Sequence, residues 1–429
     1  MTTSRQHGTV LTDHTFTVPL DHDRPDGEQI EVYAREVRAA GEAGRDLPWL
    51  LFLGGGPGSP APRPTGGGWL PRALRDYRVL LLDQRGTGRS TPVDRRLLSR
   101  ISDPDAQARY LSHFRADAIV RDAEVIRRAL IGDRPWSVLG QSFGGLCTVT
   151  YLSFAPEGLA EAFITGGLPG VRATADEVYR ALYPRVVAKN AEHFGRFPGD
   201  AGQMRAVVRY LRDHQVVLPG GRPLTVEAFQ SLGNLLGGSD GSRTLHFLLE
   251  DPFTGGTEPS DAFLSEVDRE LAGIAGGPLY SLLHEATYAQ GEGATNWSAH
   301  RIRAEFPAFD AGVAFDSGAP VLFTGEMIYP WMFDDDPALR PFGKAAELIA
   351  GRTAWPALYD LDRLRANTVP VAAAIYYDDM YLDCDLSIAT ARVIRGLRPW
   401  ITNEYQHNAL RTSNGVVLDH LIGLLRDTP

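Results

Sequence analysis

The residue types that could carry out chemistry in this chain are concentrated around one serine. Ser142 lies within Gly140-Gln-Ser-Phe-Gly144, after a short apolar run and before a helical stretch. Small residues at both ends of such a segment allow a sharp turn from strand to helix, which exposes the serine hydroxyl above the sheet. The free N–H groups at the start of the helix favour an oxyanion. The segment therefore predicts Ser142 as a nucleophile and the N–H of Phe143 as an oxyanion donor.

A serine nucleophile requires a base. The hydroxyl is weakly nucleophilic by itself, so a histidine must accept its proton and an acid must orient that histidine. With this motif the acid and then the histidine follow the serine along the chain. His407 and His420 come after the last internal strands, and His420 falls within an apolar helical stretch. We therefore predict His407 as the base and His420 as a structural residue.

The candidate acids follow an apolar run that ends at residue 376. Four aspartates are found there, namely Asp378, Asp379, Asp383 and Asp385. Because adjacent residues of an extended chain point in different directions, only one of Asp378 and Asp379 can hold the imidazole N–H. Spacing alone leaves the choice between these two open.

A second oxyanion donor is predicted in the glycine-rich segment Gly54-Gly-Gly-Pro-Gly58, directly after the apolar run 49–53. Hydrolases with this serine motif take one donor from a loop after an early strand. Glycines allow the backbone to approach the substrate oxygen, so the N–H of Gly55 or Gly56 is the candidate. A phosphate-binding loop is disfavoured, because no Lys-Ser/Thr pair follows the glycines.

The elements that must position these residues are read from short apolar runs. Six runs of strand length are found, over residues 49–53, 79–82, 137–139, 162–165, 369–376 and 400–402. Continuous apolar runs are typical of parallel strands that are buried on both faces. A helix is predicted over 116–131, where apolar residues recur at helical spacing, and it makes the sheet doubly wound. The alternating stretches 15–20 and 30–34 predict an antiparallel pair at one edge.

The strand pattern stops in the middle of the chain. Between about 170 and 345 the sequence predicts helices, including 201–214 and 260–274, joined by loops rich in glycine and proline. Together with the serine motif, this predicts an α/β-hydrolase fold: a mostly parallel, doubly wound sheet with an inserted helical cap. We predict the hydrolase domain in two parts, 1–169 and 346–429, with the cap at 170–345.

Composition excludes several function classes. The 43 Lys and Arg against 53 Asp and Glu give a net charge of −10, which repels nucleic acid and anionic membranes. No uninterrupted apolar stretch is long enough for a membrane span, and no signal peptide is expected. The two cysteines, Cys147 and Cys384, are too few for a disulfide framework or a thiolate metal site. We expect a cytoplasmic protein without metal or organic cofactor, in which Cys147 is a packed thiol.

Three motifs together resemble the prolyl aminopeptidase (proline iminopeptidase) family of serine peptidases. They are Gly55-Gly-Pro-Gly58, Asp83-Gln-Arg-Gly-Thr-Gly-Arg-Ser90 and Gly140-Gln-Ser-Phe-Gly-Gly145. The resemblance covers roughly residues 45–170 and 365–410, whereas the cap matches only in patches. The family carries Asp-Met at its acid, which Asp379-Met380 matches, so the resemblance favours Asp379. The sequence departs from the family where Gly54 replaces a histidine and where Tyr377-Asp378 replaces Arg-Tyr.

The resemblance also implies how a free amino terminus is recognised. The family uses carboxylates that hang from the cap, and local similarity assigns this role to Glu326 and Glu285. A desolvated ammonium requires such an anionic partner. Four cap aromatics could wall a pocket for the pyrrolidine ring, although core packing is the better interpretation of each: Trp297, Tyr329, Trp331 and Phe333.

The leading hypothesis is a serine aminopeptidase that removes an N-terminal residue, with proline preferred, from a small peptide or aminoacyl amide through an acyl-enzyme.

The alternative is an esterase or amidase of the same fold that acts on a non-peptide small molecule. An acyltransferase is a further alternative, because an acyl-enzyme that the cap shields from water can pass its acyl group to another acceptor. A non-catalytic binding protein is disfavoured by the intact set of Ser142, Asp379 and His407. Epoxide hydrolases and dehalogenases use Asp where this chain has Ser142. The oligomeric state is not predicted.

Overall fold

One nine-stranded sheet forms the centre of the molecule in this computed structural model, which describes residues 2–6, 8–42, 45–253, 255–274 and 277–426. The strands of the described chain are β1 (Thr2–Gln6), β2 (Thr9–Pro19), β3 (Gln29–Ala39), β4 (Trp49–Leu53), β5 (Arg78–Asp83), β6 (Trp136–Gln141), β7 (Leu159–Thr165), β8 (Gly291–Glu292), β9 (Ala354–Trp355), β10 (Val371–Tyr376) and β11 (Leu397–Thr402). Strands β8 and β9 pair separately from the large sheet.

The strand order in the large sheet is β1-β2-β3-β5-β4-β6-β7-β10-β11. The six strands from β5 to β11 in this order are parallel, whereas β1, β2 and β3 are antiparallel to their neighbours. The order runs outward in both directions from β4 and β6. Because the six strands are parallel, their carboxyl ends lie along one side of the sheet, which we call the sheet edge. The predicted α/β fold with a mostly parallel, doubly wound sheet is confirmed.

The parallel strands are buried on both faces. All five residues of β4 and all six of β10 are buried. Leu51 and Leu53 pack into one apolar cluster with Ile119, while Leu50 and Phe52 pack into a second cluster on the other face. Burial on both faces explains why these strands read as continuous apolar runs in the sequence.

The antiparallel edge is longer than predicted. Strands β2 and β3 pair over eleven residues, from Thr9 opposite Ala39 to Pro19 opposite Gln29. Strand β1 was not predicted, because all five of its residues are exposed and it has no apolar face. Strand β11 begins at Leu397, earlier than the predicted 400, and tolerates Pro399 because it is an edge strand.

α-Helices cover the sheet and build the cap. Those of the described chain are α1 (Leu70–Ala73), α2 (Arg95–Leu98), α3 (Pro104–Leu111), α4 (Ala116–Ile131), α5 (Phe143–Phe154), α6 (Ala175–Arg196), α7 (Asp200–Asp213), α8 (Val226–Gln230), α9 (Gly241–Leu249), α10 (Asp261–Ile274), α11 (Pro278–Leu283), α12 (Ser298–Arg303), α13 (Ala311–Ser317), α14 (Met332–Asp335), α15 (Gly343–Ala350), α16 (Leu361–Arg365), α17 (Cys384–Val393), α18 (Ala409–Thr412) and α19 (Val416–Arg426). Helix α4 matches the predicted crossover helix. Within the described residues, no helix combines the length and apolar character needed to cross a membrane.

The cap has an apolar core of its own. Tyr179 and Leu182 of α6 pack there with Val207 of α7 and Phe323. Helices α7 and α10 lie where helices were predicted. Two later helices, α11 and α15, instead contribute to the core beside the sheet, and α15 spans position 345. The domain limits at 169 and 345 stay a prediction.

Candidate active site

Ser142 lies at the turn between β6 and α5. Its backbone has φ 56° and ψ −125°, a strained conformation for a residue with a side chain. Gly140 and Gly144 flank the turn so closely that a Cβ at Gly144 would overlap the carbonyl oxygen of Leu53. The two small residues therefore allow the turn, and the turn directs the serine hydroxyl out of the sheet.

The structure brings the three predicted residues of the hydrolytic set into one row. The Ser142 hydroxyl lies 2.9 Å from Nε2 of His407, and Nδ1 of His407 lies 2.7 Å from Oδ2 of Asp379. The Asp379 carboxylate accepts a hydrogen bond from the Nδ1–H group of His407, so Nε2 is unprotonated and can accept the proton of the hydroxyl. This is the geometry needed to activate a serine.

The structure also separates the two neighbouring aspartates. Asp379 is buried, and its Oδ1 accepts N–H groups from Tyr381 at 2.8 Å and Leu382 at 3.2 Å. Asp378 is exposed. Spacing could not choose between the two aspartates, whereas the contacts with His407 belong to Asp379.

His407 is buried and in contact with negative charge. Burial by itself would lower its pKa, but the charge of Asp379, its hydrogen bond and a smaller contribution from Glu326 raise the pKa above the usual value. The ring of Tyr381 packs edge-on against the imidazole, with centroids 4.7 Å apart. The environment therefore holds the imidazole rigidly and stabilises its protonated form.

Gly166 provides the space beside this imidazole. The residue has φ +49°, and a Cβ there would lie 3.2 Å from Nδ1 of His407 and 3.0 Å from the ring of Tyr376. The Tyr376 hydroxyl is hydrogen-bonded to Thr165 at 2.8 Å, so that ring is fixed. A side chain at Gly166 would press directly on the predicted base.

The glycine-rich turn after β4 lies against the nucleophile. A Cβ at Gly55 would be 3.1 Å from Cβ of Ser142, and Gly56 has φ +127°. Nε2 of Gln84 donates to the carbonyl of Gly54 at 3.1 Å and so anchors the turn. Gly55 thus lies beside the serine, and the role of the Gly55 or Gly56 N–H as oxyanion donor stays a prediction.

Residues 83–90, the second of the three motifs, stabilise the loops near the serine through buried ion pairs. Asp83 is buried and makes a two-pronged ion pair with Arg63, with N–O distances of 3.0 and 2.7 Å. Oδ2 of Asp83 also accepts the N–H of Arg89 at 2.9 Å. Arg85 forms a second buried fork with Asp122. The contacts of Asp83 with Arg63 and with the N–H of Ala61 hold the loop over residues 59–69, which forms one wall of the cavity described next.

A cavity of about 600 Å³ opens above the serine, a volume in the range of small-ligand sites. Its polar lining combines residues of the sheet edge, the loop after β4, α18 and the cap: Ser142, His407, Gln141, Ser59, Arg63, Thr65, Asn234, Tyr280, Glu326, Asn408 and Arg411. Glu326 Oε1 accepts a hydrogen bond from the Tyr280 hydroxyl at 2.7 Å. Glu326 therefore lies where a carboxylate of the cap was predicted.

The structure does not bring Glu285 into this cavity, so its expected role as a second amine ligand is corrected. Glu285 is buried beside α12, and its Oε1 accepts the N–H of Ala299 at 3.1 Å. Burial raises its pKa to about 7, although hydrogen bonds from Ala299 and its neighbours oppose the increase. Local sequence similarity could not reveal that this carboxylate caps a helix.

The four cap aromatics pack against apolar clusters, with Tyr329 and Phe333 buried and Trp297 and Trp331 half-buried. Trp297 lies against Phe333 with ring centroids 5.6 Å apart, and Tyr329 stacks on Trp331 at 5.7 Å. All four lie outside the lining of the 600 Å³ cavity. Core packing, the favoured interpretation of each, agrees with these positions.

Sequence reasoning missed several residues of the cavity wall. Tyr280 follows Pro278 in a short helix with no recognisable motif, and Asn234 and Arg411 lie in equally ordinary segments. Their placement depends on contacts between distant parts of the chain. Arg63 had an indirect signal, since the buried acid Asp83 of the second motif required a partner.

The described residues contain no cluster of His, Cys, Asp and Glu that could hold a metal ion. Cys147 and Cys384 are both buried and free. Burial raises the pKa of the Cys147 thiol, which therefore stays protonated. These positions agree with packing roles for both cysteines.

The mostly parallel sheet and a serine at the strand-to-helix turn define an α/β hydrolase, and residues 48–231 match the family described as alpha/beta hydrolase fold. Within this class the chain belongs to the proline iminopeptidase family. It is 49% identical over 416 residues to a proline iminopeptidase of Aeromonas sobria, with 96% of each chain covered. It is 36% identical over 425 residues to proline iminopeptidase aneH of Aspergillus aculeatus, covering 96% of this chain and 93% of the relative. The predicted family resemblance is confirmed.

A solved structure of a proline iminopeptidase-related protein from Thermus thermophilus is also similar. It is 16% identical, with a TM-score of 0.40, over 96% of this chain and 97% of the other.

Proposed function

We propose that this protein is a serine aminopeptidase that releases N-terminal proline from short peptides or aminoacyl amides. The observation that carries the proposal is that Ser142 and His407, which form a hydrogen-bonded row with the buried Asp379, line one cavity with Glu326. The row supplies an activated nucleophile, and Glu326 supplies a partner for a free amino terminus. The relatives named proline iminopeptidases support proline as the released residue.

Acylation begins when the Ser142 oxygen attacks the carbonyl carbon of the N-terminal residue. Nε2 of His407 accepts the hydroxyl proton and then donates it to the leaving amine as the C–N bond breaks. The N–H of Phe143, with that of Gly55 or Gly56, stabilises the oxyanion. Water then attacks the acyl-enzyme with His407 again as base, which frees the amino acid and restores Ser142. This chemistry requires no metal or organic cofactor.

Asp379 orients the imidazole and stabilises its protonated form during each proton transfer. His407 acts as a base only when it is neutral. Because its pKa is raised, kcat/KM falls as the pH decreases through this raised pKa, and the loss begins at a higher pH than for an ordinary histidine.

Glu326 provides the anionic partner for the prolyl ammonium. The hydrogen bond from Tyr280 occupies one direction at Oε1 and fixes the carboxylate. Because a carboxylate accepts several hydrogen bonds, Glu326 retains capacity for the substrate N–H groups. An N-acylated substrate lacks the positive charge and is rejected, since a carboxylate facing a neutral amide loses its water without compensation.

The localisation, the partners and the domain limits complete the proposal. The cytoplasm suits the two free, buried cysteines. The net charge of −10 disfavours nucleic acid and anionic membranes as partners. The hydrolase domain comprises residues 1–169 and 346–429, and the cap comprises 170–345.

A substrate panel tests the proposed function. Purified protein is assayed with prolyl arylamide, N-acetylprolyl arylamide, alanyl arylamide and a short-chain acyl arylester. We expect rapid cleavage of the free prolyl amide, slower cleavage of the alanyl amide and no cleavage of the acetylated form. Ser142→Ala should lose at least about 10⁵-fold in kcat while its melting curve is retained. Ester cleavage without prolyl amide cleavage would replace the proposal by an esterase activity.

A further inference from the structure

The wall of the cavity carries charge of both signs. Besides His407, three acidic or basic side chains line it: Arg63, Glu326 and Arg411. Arg63 is neutralised by its two-pronged pair with the buried Asp83. Arg411 is exposed on the short helix α18, and within the described part of the chain no carboxylate pairs with it. The lining of the cavity thus includes one carboxylate from the cap and one arginine without an ion-pair partner among the described residues.

The chemistry of the reaction tells which part of a substrate reaches Arg411. Nε2 of His407 must donate a proton to the nitrogen of the leaving group, so the leaving peptide lies beside His407. The chain continues from His407 directly into Asn408, Leu410 and Arg411, which line the same cavity. The released N-terminal residue is bound to Ser142, and its amine contacts Glu326. The wall that contains Arg411 therefore faces the remainder of the peptide.

We propose, on the basis of the proposed function, that Arg411 binds the C-terminal carboxylate of the substrate and makes the enzyme selective for short zwitterionic peptides. A planar guanidinium matches a carboxylate with two parallel hydrogen bonds. Glu326 and Arg411 then recognise the two charged ends of a peptide, whereas an amide or a long chain satisfies only Glu326. Gly66 and Gly67 leave room on the same wall, because a Cβ at either position would meet no atom within 4 Å.

The experiment compares two substrates that differ only in the terminal charge. Initial rates are measured for Pro-Ala and for Pro-Ala amide with the parent protein, Arg411→Gln, Arg411→Lys and Arg392→Gln. Arg392 is an exposed arginine of α17 that lies outside the cavity lining, so its variant controls for the loss of one surface charge. The readout is the ratio of kcat/KM for Pro-Ala to kcat/KM for Pro-Ala amide, which cancels differences in folding and enzyme concentration.

In the parent protein we expect a ratio of about 3 to 10, carried mainly by KM, as for a partly exposed, charge-assisted pair. Arg411→Gln should bring the ratio close to one, Arg411→Lys should keep part of it, and Arg392→Gln should keep all of it. Because Arg411 is exposed, 1 M salt should reduce the parent ratio. An unchanged ratio in Arg411→Gln would overturn the inference while the aminopeptidase activity stands. A parent protein that cleaves neither substrate would overturn the proposed function and the inference together.

Discussion

The sheet edge and the cap contribute to one cavity in different ways. Ser142, Asp379 and His407 each lie within five residues of the end of a parallel strand, respectively β6, β10 and β11. Glu326 instead lies in an irregular stretch between α13 and α14, and its carboxylate is held by the side chain of Tyr280. The hydrogen-bonded parallel strands thus position Ser142, Asp379 and His407, whereas side-chain contacts position Glu326, the proposed partner of the substrate amine.

This difference separates two kinds of dependence on sequence. Main-chain hydrogen bonds and close glycine contacts fix the row, so its residues tolerate little change in atom position. A cap carboxylate can be replaced, or its neighbour changed, without disturbing the strands beneath it. We therefore expect variants at the sheet edge to affect the chemical step for every substrate, and variants in the cap to affect the choice among substrates.

The largest effect that tests this comparison is expected at the acid. Asp379→Asn keeps the shape of the side chain but removes the charge, and its amide can favour the wrong tautomer of His407. We expect kcat to fall about 10⁴-fold. In the residual activity, the pH at which kcat/KM declines should shift downward, because Asp379 no longer raises the pKa of His407. Rates of prolyl arylamide hydrolysis between pH 5 and 9 provide the measurement.

The neighbouring residue supplies a matched control for the acid. Asp378→Asn removes the same charge one residue away, at an exposed position. Its kcat should stay within about twofold of the parent value, since surface substitutions outside special features have small effects. A large loss in Asp378→Asn with full activity in Asp379→Asn would show that the contacts with His407 do not identify the acid.

The two regions also differ in how far the sequence predicts them. The serine turn needs small residues at Gly140 and Gly144, and the parallel strands need continuous apolar runs, so both leave local signals. The choice of Asp379 depended on a family motif, because both aspartates follow the same strand. The misassigned Glu285 and the missed Tyr280 depend on packing between segments far apart in the chain. Such contacts leave no periodic or local pattern from which they could be predicted.

The next effect tests the cap. Glu326→Gln removes the negative charge that faces the substrate amine while its size is kept. We expect kcat/KM for prolyl arylamide to fall about 10- to 100-fold, as for the loss of a partly buried charge-assisted hydrogen bond. Cleavage of the acyl arylester, which has no amine, should change much less. Steady-state rates on both substrates give the comparison.

Glu285→Gln is the matched control for this variant, since it removes another cap carboxylate that lies outside the cavity lining. Its kcat/KM for prolyl arylamide should stay within about threefold of the parent value. If Glu285→Gln reduced that value as strongly as Glu326→Gln while folding was retained, the assignment of the amine partner to Glu326 alone would be wrong.

A smaller effect is expected at Gly166, which tests how rigidly the sheet edge holds the base. In Gly166→Ala the new methyl group would press on His407 and Tyr376. We expect kcat to fall about 10-fold, because a small displacement of a catalytic group is costly. Gly318→Ala provides the control, since Gly318 also has a positive φ of 76° but a Cβ there would meet no atom within 4 Å. Both variants should lose stability, and only Gly166→Ala should lose kcat; equal kcat in the two would show that the imidazole can move aside.

The smallest effect concerns stability in the cap. The pKa of Glu285 is about 7 in the folded protein and 4.5 without burial, so the folded state favours the protonated carboxyl. Between these values the unfolded chain ionises while the folded chain retains its proton. The unfolded state therefore binds fewer protons, and the free energy of unfolding decreases as the pH rises toward 7 and is constant above it. Because the side chain of Glu285→Gln cannot ionise, the free energy of unfolding of this variant does not decrease in this way. From pH 5 to pH 8 the stability of the variant relative to the parent should increase by about 2 to 3 kcal/mol, measured by urea unfolding at both pH values. A difference that does not change with pH would mean that the buried carboxylate is ionised in the fold, with compensation from the N–H groups at the start of α12.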